Sequence, residues 1–598
     1  MPAEAGPLVV RLDGFSLDLA TLARFARDPG ARVEIAPEAR ERVRQCRQKI
    51  EKIVADYRRD YADPAVVPVQ DYGVTTGFGE FKDIPVPPEQ LEELQRNLLL
   101  SHSVGIGARG GLFDRSGCFP AEVVRATLLI RINAFLRGHS GIREELIDVL
   151  VAMLEKGVVP LVPARGSLGS SGDLCPLCHL FQVLLGEGCY YLLADETNLH
   201  PASRLAEHLG RGIPAIAAKE GLALSNGATF SAALLALSAH EAANLARVAD
   251  CGAALSLEAA CGCARALDPR IHAARGQRGQ IESAAHLREL LTGSQLLDRA
   301  GAVQDAYSLR CAPVVHGAAR DAIRYAEEVA LREINAATDN PLFFGEGGDP
   351  WDWQFAGNWP DHYDGRARQS FSAGNFHGEP IAMAADVLAI AVAELANIAE
   401  RRVQLLLDQH HNRNLPANLV ARRGVQSGLM LLQYSAASLV CENKVLAHPA
   451  SVDSIPTAAN IEDHVAVATT AAVKLQQVIA NVEAVLAIEL ITAAQAIDWR
   501  VGMGYGPRSQ GATDPPSSPV GAKEGLERVE QEAELFAAAT RPENREKIAA
   551  SLGQGSRAVY LAIRQEVEPI TSDRVPASDI ARLRLALHSI PGCAAAKN

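Results

Sequence analysis

The sequence predicts a mainly α fold, a long-helix bundle with an N-terminal loop-rich domain, on three observations. Stretches 457–501 and 381–415 lack Gly and Pro and are dense in Ala, Val, Leu, Ile, Gln and Glu, and 228–251 and 318–340 have the same Ala-rich character. Hydrophobic residues make up 48% of the chain but aromatics only 5%, so small side chains let helix axes approach closely. Glycines cluster early, at 72–79, 105–111 and 166–172, where helical stretches are shorter.

Three regions follow in order. Residues 1–225 read as the mixed, loop-rich N-terminal domain, 226–512 as the long-helix bundle that carries oligomerisation, and 513–598 as a C-terminal helical segment. An insertion at 345–368 interrupts the bundle with polar, Gly- and Pro-containing sequence and holds Trp351, Trp353 and Trp359, three of the 4 tryptophans. The stretch TDPPSSP at 513–519 is a turn-rich joint, after which helical periodicity resumes from Lys523 to about Arg564. At 1.5 Å per residue an unbroken 457–501 helix would reach ~68 Å. Helices so long and apolar would expose wide stripes alone, which predicts a homo-oligomer.

Charge narrows the partners. The 598 residues carry 58 Lys+Arg against 71 Asp+Glu, a net −13, with no clustered basic block, so neither nucleic acid nor an anionic membrane is expected as a partner. The opening MPAEAGPLVV has no basic region before an apolar one, and no apolar run approaches the ~20 residues that cross a bilayer. The expectation is a soluble, cytoplasmic protein acting on a small molecule. Its 11 cysteines are ordinary usage for this length and read as buried thiols in a reducing compartment.

The most unusual stretch is GSLGSSGDL at 166–174, where seven of nine residues are Gly, Ser or Asp, followed by an apolar segment. It reads as a tight loop entering a helix, with Asp173 as N-cap and Pro176 in the first turn. Read locally, it is either a capped turn or a phosphate cradle at a helix N-terminus. It is not a P-loop, since no Gly-Lys-Ser/Thr follows. Cys175-Pro-Leu-Cys178-His179 matches both a haem-attachment pattern and a redox C-x-x-C. Haem attachment of that kind needs export, for which the sequence carries no signal.

GSLGSSGDLCPLCH at 166–179 resembles the G-S-x-G-A-S-G-D-L-x-P-L-x-H signature of the aromatic amino acid ammonia-lyases and aminomutases. The resemblance recurs in order: YGVTTGFG from Tyr72, QRNL from Gln95, Ser101-His102, LSNGA around Asn226, QDAYSLR from Gln304 to Arg310, NFHGEP from Asn375, and EDH from Glu462, with a looser echo at 552–564. It covers roughly residues 70–500 and implies the lyase superfold shared with fumarase and aspartase. It also implies an autocatalytic prosthetic group, 4-methylidene-imidazol-5-one, made by cyclisation of Ser170-Ser171-Gly172 with loss of two waters, and no metal or external cofactor. Ser171 would lose its hydroxyl, and Gly172 has no Cβ to shield its nitrogen. Ser170 stands where the family usually has Ala and lends the ring only its backbone carbonyl.

The same resemblance assigns the remaining roles. Tyr72, on a glycine-rich loop suited to a mobile lid, is the base for the β-proton. A free phenol titrates near ~10, so its surroundings would have to lower that value. Tyr307 and Asn226 sit around the electrophile and the amine, Phe376 lines the pocket for the substrate side chain, and Gln304 is carried over as a substrate-binding residue. Arg310 pairs with the substrate carboxylate, its planar fork matching two oxygens.

Ser101-His102, HGEP at 377–380 and the Arg310-Cys311 step resemble the members acting on histidine, and Glu462 fits physically, because a carboxylate accepts a hydrogen bond from an imidazole N–H but gains nothing against a phenyl ring. The implied reaction is elimination of ammonia from L-histidine to trans-urocanate by a homotetramer whose sites combine several chains. The alternative is a tyrosine or phenylalanine lyase or 2,3-aminomutase on the same scaffold. Ile461 and Ala312 depart from the Gln usual in members acting on histidine.

Overall fold

The computed structural model describes residues 7–107, 115–344, 370–507 and 522–592. The insertion at 345–368, with its tryptophans, and the joint at 513–519 lie outside the described residues. Contacts divide the chain into two compact units, each assembled from three stretches: Met1–His240, Ala326–Asp386 and Pro449–Val473 form one, and Glu241–Tyr325, Val387–His448 and Lys474–Asn598 the other. Division by chain order at 225 and 512 therefore differs from division by contact. Four of the five crossings between units fall inside helices rather than in linkers.

The described chain is dominated by helices, as expected, with only short strands. All the strands belong to the first unit: a parallel pair Val9–Leu12 and Arg32–Ile35, an antiparallel ladder Val158–Pro160, Cys189–Leu192 and Asp195–Pro201, and a two-residue pair Leu342–Phe343 and Ser370–Phe371. Helix Ala121–Phe135 is buried almost all round, which its sequence allows because its polar members find partners. The Arg125 guanidinium donates to the carbonyls of Phe25, Ala26, Asp28 and Leu154 at 2.8 to 3.2 Å, so its charge is buried without losing its hydrogen bonds.

The second unit holds the C-terminal helices. Its Trp499 is fully buried, stacks on Phe536 with ring centroids 4.0 Å apart, and donates from Nε1 to the Leu419 carbonyl at 2.9 Å. Asp250, also fully buried in this unit, accepts from Ser283 at 2.6 Å, His316 at 2.7 Å, His286 at 3.0 Å and Arg320 at 2.6 Å, and these donors hold its carboxyl far below the usual range against the cost of burial.

The long helices run Thr229–Ala259, Ala312–Glu333, Glu379–Leu407 and Ala468–Ile497. The last begins eleven residues later than its Gly- and Pro-free stretch predicts. Ala458, Ala459, Asn460 and Val467 take left-handed φ of 48°, 53°, 65° and 54°, so 457–467 is a strained loop whose composition merely looks helical. Two helices, Glu379–Leu407 and Ala468–Gly502, are long and apolar enough by composition to cross a membrane, but charged residues interrupt both, and 67% and 78% of their most apolar windows are buried within the protein.

Candidate active site

A cavity of about 670 Å³ in the first unit is walled by side chains from six separate stretches of sequence, Tyr72, Ser170, Ser171, Asn226, Phe376 and Glu462 among them. Backbone conformation explains how the tripeptide reaches it. Gly166, Gly169 and Gly172 have φ of +124°, +66° and +72°, values that favour glycine, and so fold 166–172 into a compact loop. Gly172 lies so close to Gly227 that a Cβ on it would meet the Gly227 carbonyl carbon at 2.2 Å. Any other residue at 172 would push the two strands of backbone apart.

Asp173 follows at the N-cap position of helix Leu174–Phe181, as predicted, but its side chain makes no cap hydrogen bond. The fully buried carboxylate instead accepts from the Ser231 N–H at 2.7 Å, the Ser231 hydroxyl at 2.9 Å, Thr469 at 2.6 Å and Ser167 at 3.0 Å, while its own N–H donates to the Gly227 carbonyl at 2.8 Å. Burial pushes its carboxyl up, opposed by these bonds. Asp173 thus ties the serine loop to the loop and helix that follow Asn226. Sequence analysis missed this role because three of the donors come from elsewhere in the chain.

Tyr72 sits at the head of a loop fastened from behind. Gln95 donates to the Gly73 carbonyl at 3.0 Å and accepts from the Leu222 N–H at 3.0 Å, and Gly73, with φ +66°, leaves no room for a Cβ beside Leu222. The phenol oxygen accepts from the Gly79 N–H at 3.2 Å. Burial pushes the phenol up, the Gly79 bond opposes this, and the Glu462 carboxylate adds to the rise. The lowered value expected for a base is therefore not supplied within this chain, because desolvation outweighs the one backbone donor.

Glu462 faces the tripeptide directly. Its Oε1 accepts from the Ser171 hydroxyl, and its Oε2 accepts from Ser170 at 3.2 Å and Thr457 at 2.7 Å. A reciprocal backbone pair between Thr457 and Glu462, at 2.9 and 3.3 Å, closes the left-handed turn between them. Thr457 is a partner that sequence analysis missed, since nothing in TAANIEDH announces that its ends pair. Asn226, at the C-cap of helix Glu220–Ser225, is buried and lines the cavity, its side-chain oxygen unpartnered among the described residues. Phe376 is brought in by Gly378, whose N–H donates to the Gly169 carbonyl at 3.0 Å.

Residues 17–514 match the family model described as aromatic amino acid lyase. The chain belongs to that family. Among curated relatives of this lyase, a histidine ammonia-lyase of Symbiobacterium thermophilum is 44% identical over 578 residues, 96% of each chain. Among solved structures, a histidine ammonia-lyase from Trypanosoma cruzi superposes with a TM-score of 0.76 at 36% identity, covering 97% of this chain and 94% of that one, and a tyrosine aminomutase from Streptomyces globisporus with 0.77 at 30% identity, covering 98% and 97%.

Six of the residues expected at the lyase's site, with Gly172 behind them, thus converge in one unit. His102 lies in that unit too, as C-cap of helix Leu91–Ser101, its Nδ1 2.9 Å from the Ser101 hydroxyl, but it is not among the side chains lining the cavity. Burial pushes its imidazole down, against a weaker pull from Glu462, so the ring is neutral at neutral pH. Gln304, Tyr307 and Arg310 lie in the second unit. Tyr307 is 72% exposed, and the Arg310 guanidinium lies 4.6 Å from the centre of its ring. Cys175 and Cys178 are buried thiols pushed up by desolvation, and the His179 Nε2 accepts from the Gly105 N–H at 2.9 Å, so this C-x-x-C-H is packing. Among the described residues no group of three or more His, Cys, Asp or Glu is placed to hold a metal ion.

Proposed function

We propose that this protein is a histidine ammonia-lyase, converting L-histidine to trans-urocanate and ammonia. The observation that carries the reading is the Glu462 carboxylate set against Ser170 and Ser171 inside the cavity, an acceptor suited to an imidazole N–H. The 44% identity to a relative named histidine ammonia-lyase over nearly the whole of both chains supports it.

The residues present fit a 4-methylidene-imidazol-5-one formed from Ser170-Ser171-Gly172. Gly172, with no Cβ to shield its nitrogen, sits at a left-handed φ in the compact loop, and the Asn226 side-chain oxygen, unpartnered among the described residues, belongs to the same cavity wall as Ser170 and Ser171. Such a group supplies an electrophile that turns the substrate amine into a leaving group. Around it, Asn226 orients the amine, Glu462 and Phe376 bind and align the side chain, and Tyr72 takes the β-proton. Burial and Glu462 hold the Tyr72 phenol above its ordinary value, so near neutral pH only its minor ionised fraction takes that proton.

Gln304, Tyr307 and Arg310 complete the site from a neighbouring copy in a homotetramer, with Arg310 clamping the substrate carboxylate. The exposure of Gln304 and Tyr307 supports this, as does the apolar stripe of Met383, Val387 and Ile390 along helix Glu379–Leu407, which are 49%, 39% and 48% exposed. The ten cysteines among the described residues are thiols, which suits a reducing, cytoplasmic setting.

Purified protein given histidine, tyrosine and phenylalanine separately, with ultraviolet detection of the unsaturated acid and chromatography for β-amino acids, tests the reading. Urocanate from histidine alone is expected, and cinnamate or β-tyrosine would overturn the substrate assignment. Ser171→Ala should leave the protein folded, abolish the loss of two waters seen by intact mass, and lower turnover by about three orders of magnitude or more.

A further inference from the structure

Ser170 departs from the family's usual Ala, and its side chain has no part in the ring chemistry. Only its carbonyl carbon bonds to the Gly172 nitrogen, and that carbonyl oxygen leaves as the first water with the amide hydrogens of Ser171 and Gly172. The second water takes the Ser171 hydroxyl and the Ser171 Cα hydrogen, leaving the exocyclic double bond. Cyclisation therefore removes one of the three hydroxyls on Glu462 and spares the other two.

The division falls between the two carboxylate oxygens. Oε1 has the Ser171 hydroxyl, which is lost, whereas Oε2 has Thr457 at 2.7 Å and Ser170 at 3.2 Å, which remain. Ser170 is only 7% exposed, so its hydroxyl has little water to turn to. The backbone behind Glu462 is also constrained, through the Thr457–Glu462 pair and the three consecutive left-handed residues between them. A carboxylate pinned through one oxygen presents the other in a defined direction, and hydrogen bonds to a charged group hold better than neutral ones.

We propose that the Ser170 hydroxyl is a positioning group for substrate recognition: with Thr457 it clamps Oε2 of Glu462, so that the departure of the Ser171 hydroxyl opens Oε1 toward an N–H of the substrate side chain. This deepens the histidine reading and rests on it. In a chain with Ala at this position Thr457 alone would hold Oε2, and the carboxylate would sample more orientations before substrate binds.

The test is a double-mutant cycle on histidine turnover with Ser170→Ala, Glu462→Gln and the pair, together with Ser170→Thr. Each protein is checked by intact mass for the loss of two waters and by thermal melting. Ser170→Ala should cyclise and melt like wild type, raise KM about ten-fold with a smaller change in kcat, and be restored to within about three-fold by Ser170→Thr. In the Glu462→Gln background the same change should cost less than about two-fold, because the group it positions has lost its charge. Equal penalties in both backgrounds, a Ser170→Ala enzyme kinetically identical to wild type, one that fails to lose two waters, or a Ser170→Thr enzyme no better than Ser170→Ala would each overturn the proposal. A wild-type enzyme inert toward histidine overturns the histidine reading and this proposal together, whereas an active wild type with additive penalties overturns this proposal alone.

Discussion

At Tyr72 the chemistry asked of a residue and the environment built around it pull in opposite directions. A base must shed its proton, yet burial and the nearby Glu462 push the phenol above its ordinary value, with one backbone N–H opposing them. Below that raised value the fraction ionised grows about ten-fold per pH unit. The kcat/KM for histidine should therefore rise from pH 7 to 9, as phenolate becomes available, and Tyr72→Phe should be slow and lose that rise. A wild-type profile already flat at pH 7 would mean that a neighbouring subunit brings Tyr72 well below the range of a free phenol before substrate binds. His102 is displaced the other way, its neutral ring favoured by burial, so it enters this pH window uncharged and adds no ionisation of its own.

The loops carry the site, and the helices fix where the loops begin and end. Gly227, with φ +124°, precedes helix Thr229–Ala259, and a Cβ there would meet the Arg131 guanidinium at 2.6 Å and the Thr338 hydroxyl at 2.8 Å while the residue still had to hold a conformation that favours glycine. Gly227→Ala should destabilise the protein by about 2 to 4 kcal/mol and reduce the fraction of chains that lose two waters, because Gly227 is what Gly172 packs against. Thermal melting and intact mass on the same preparation check both halves. Much of the element-scale architecture is legible in the sequence. Gly and Ser concentrated at 166–172 mark a tight turn that larger side chains could not make, and the four long helices follow from Ala-rich stretches without breakers. The start of helix Ala468–Ile497 is not legible, because Ala458, Ala459 and Val467 are residues that normally favour helix or strand, yet all three take left-handed φ, the first two inside the turn that the pairing of Thr457 with Glu462 closes. The environment of Asp173 is hidden for a related reason: an Asp before a helix reads as a cap, and its donors Ser231 and Thr469 are distant in sequence.

For the molecule as a whole, the apolar stripe of Met383, Val387 and Ile390 and the exposed Leu431, Tyr434 and Val445 on helix Met430–Leu446 are the surfaces a second copy would cover. Ile390→Asp is expected to yield smaller species in sedimentation velocity and to lose activity in proportion, since Tyr307 and Arg310 would then have no neighbouring site to complete. A fully active monomer would refute the shared site. The composition that predicts a helical bundle predicts this dependence as well, because a chain with 48% hydrophobic residues and few aromatics must place many small apolar side chains somewhere.

The Ser171 and Glu462 side chains meet across 291 positions of chain, and Gly172 rests on Gly227 on the way. A ribosome thus releases the two serines long before it releases the carboxylate that touches them. If the ring forms only in the assembled pocket, the missing mass of two waters becomes a timestamp for completed folding, readable one molecule at a time.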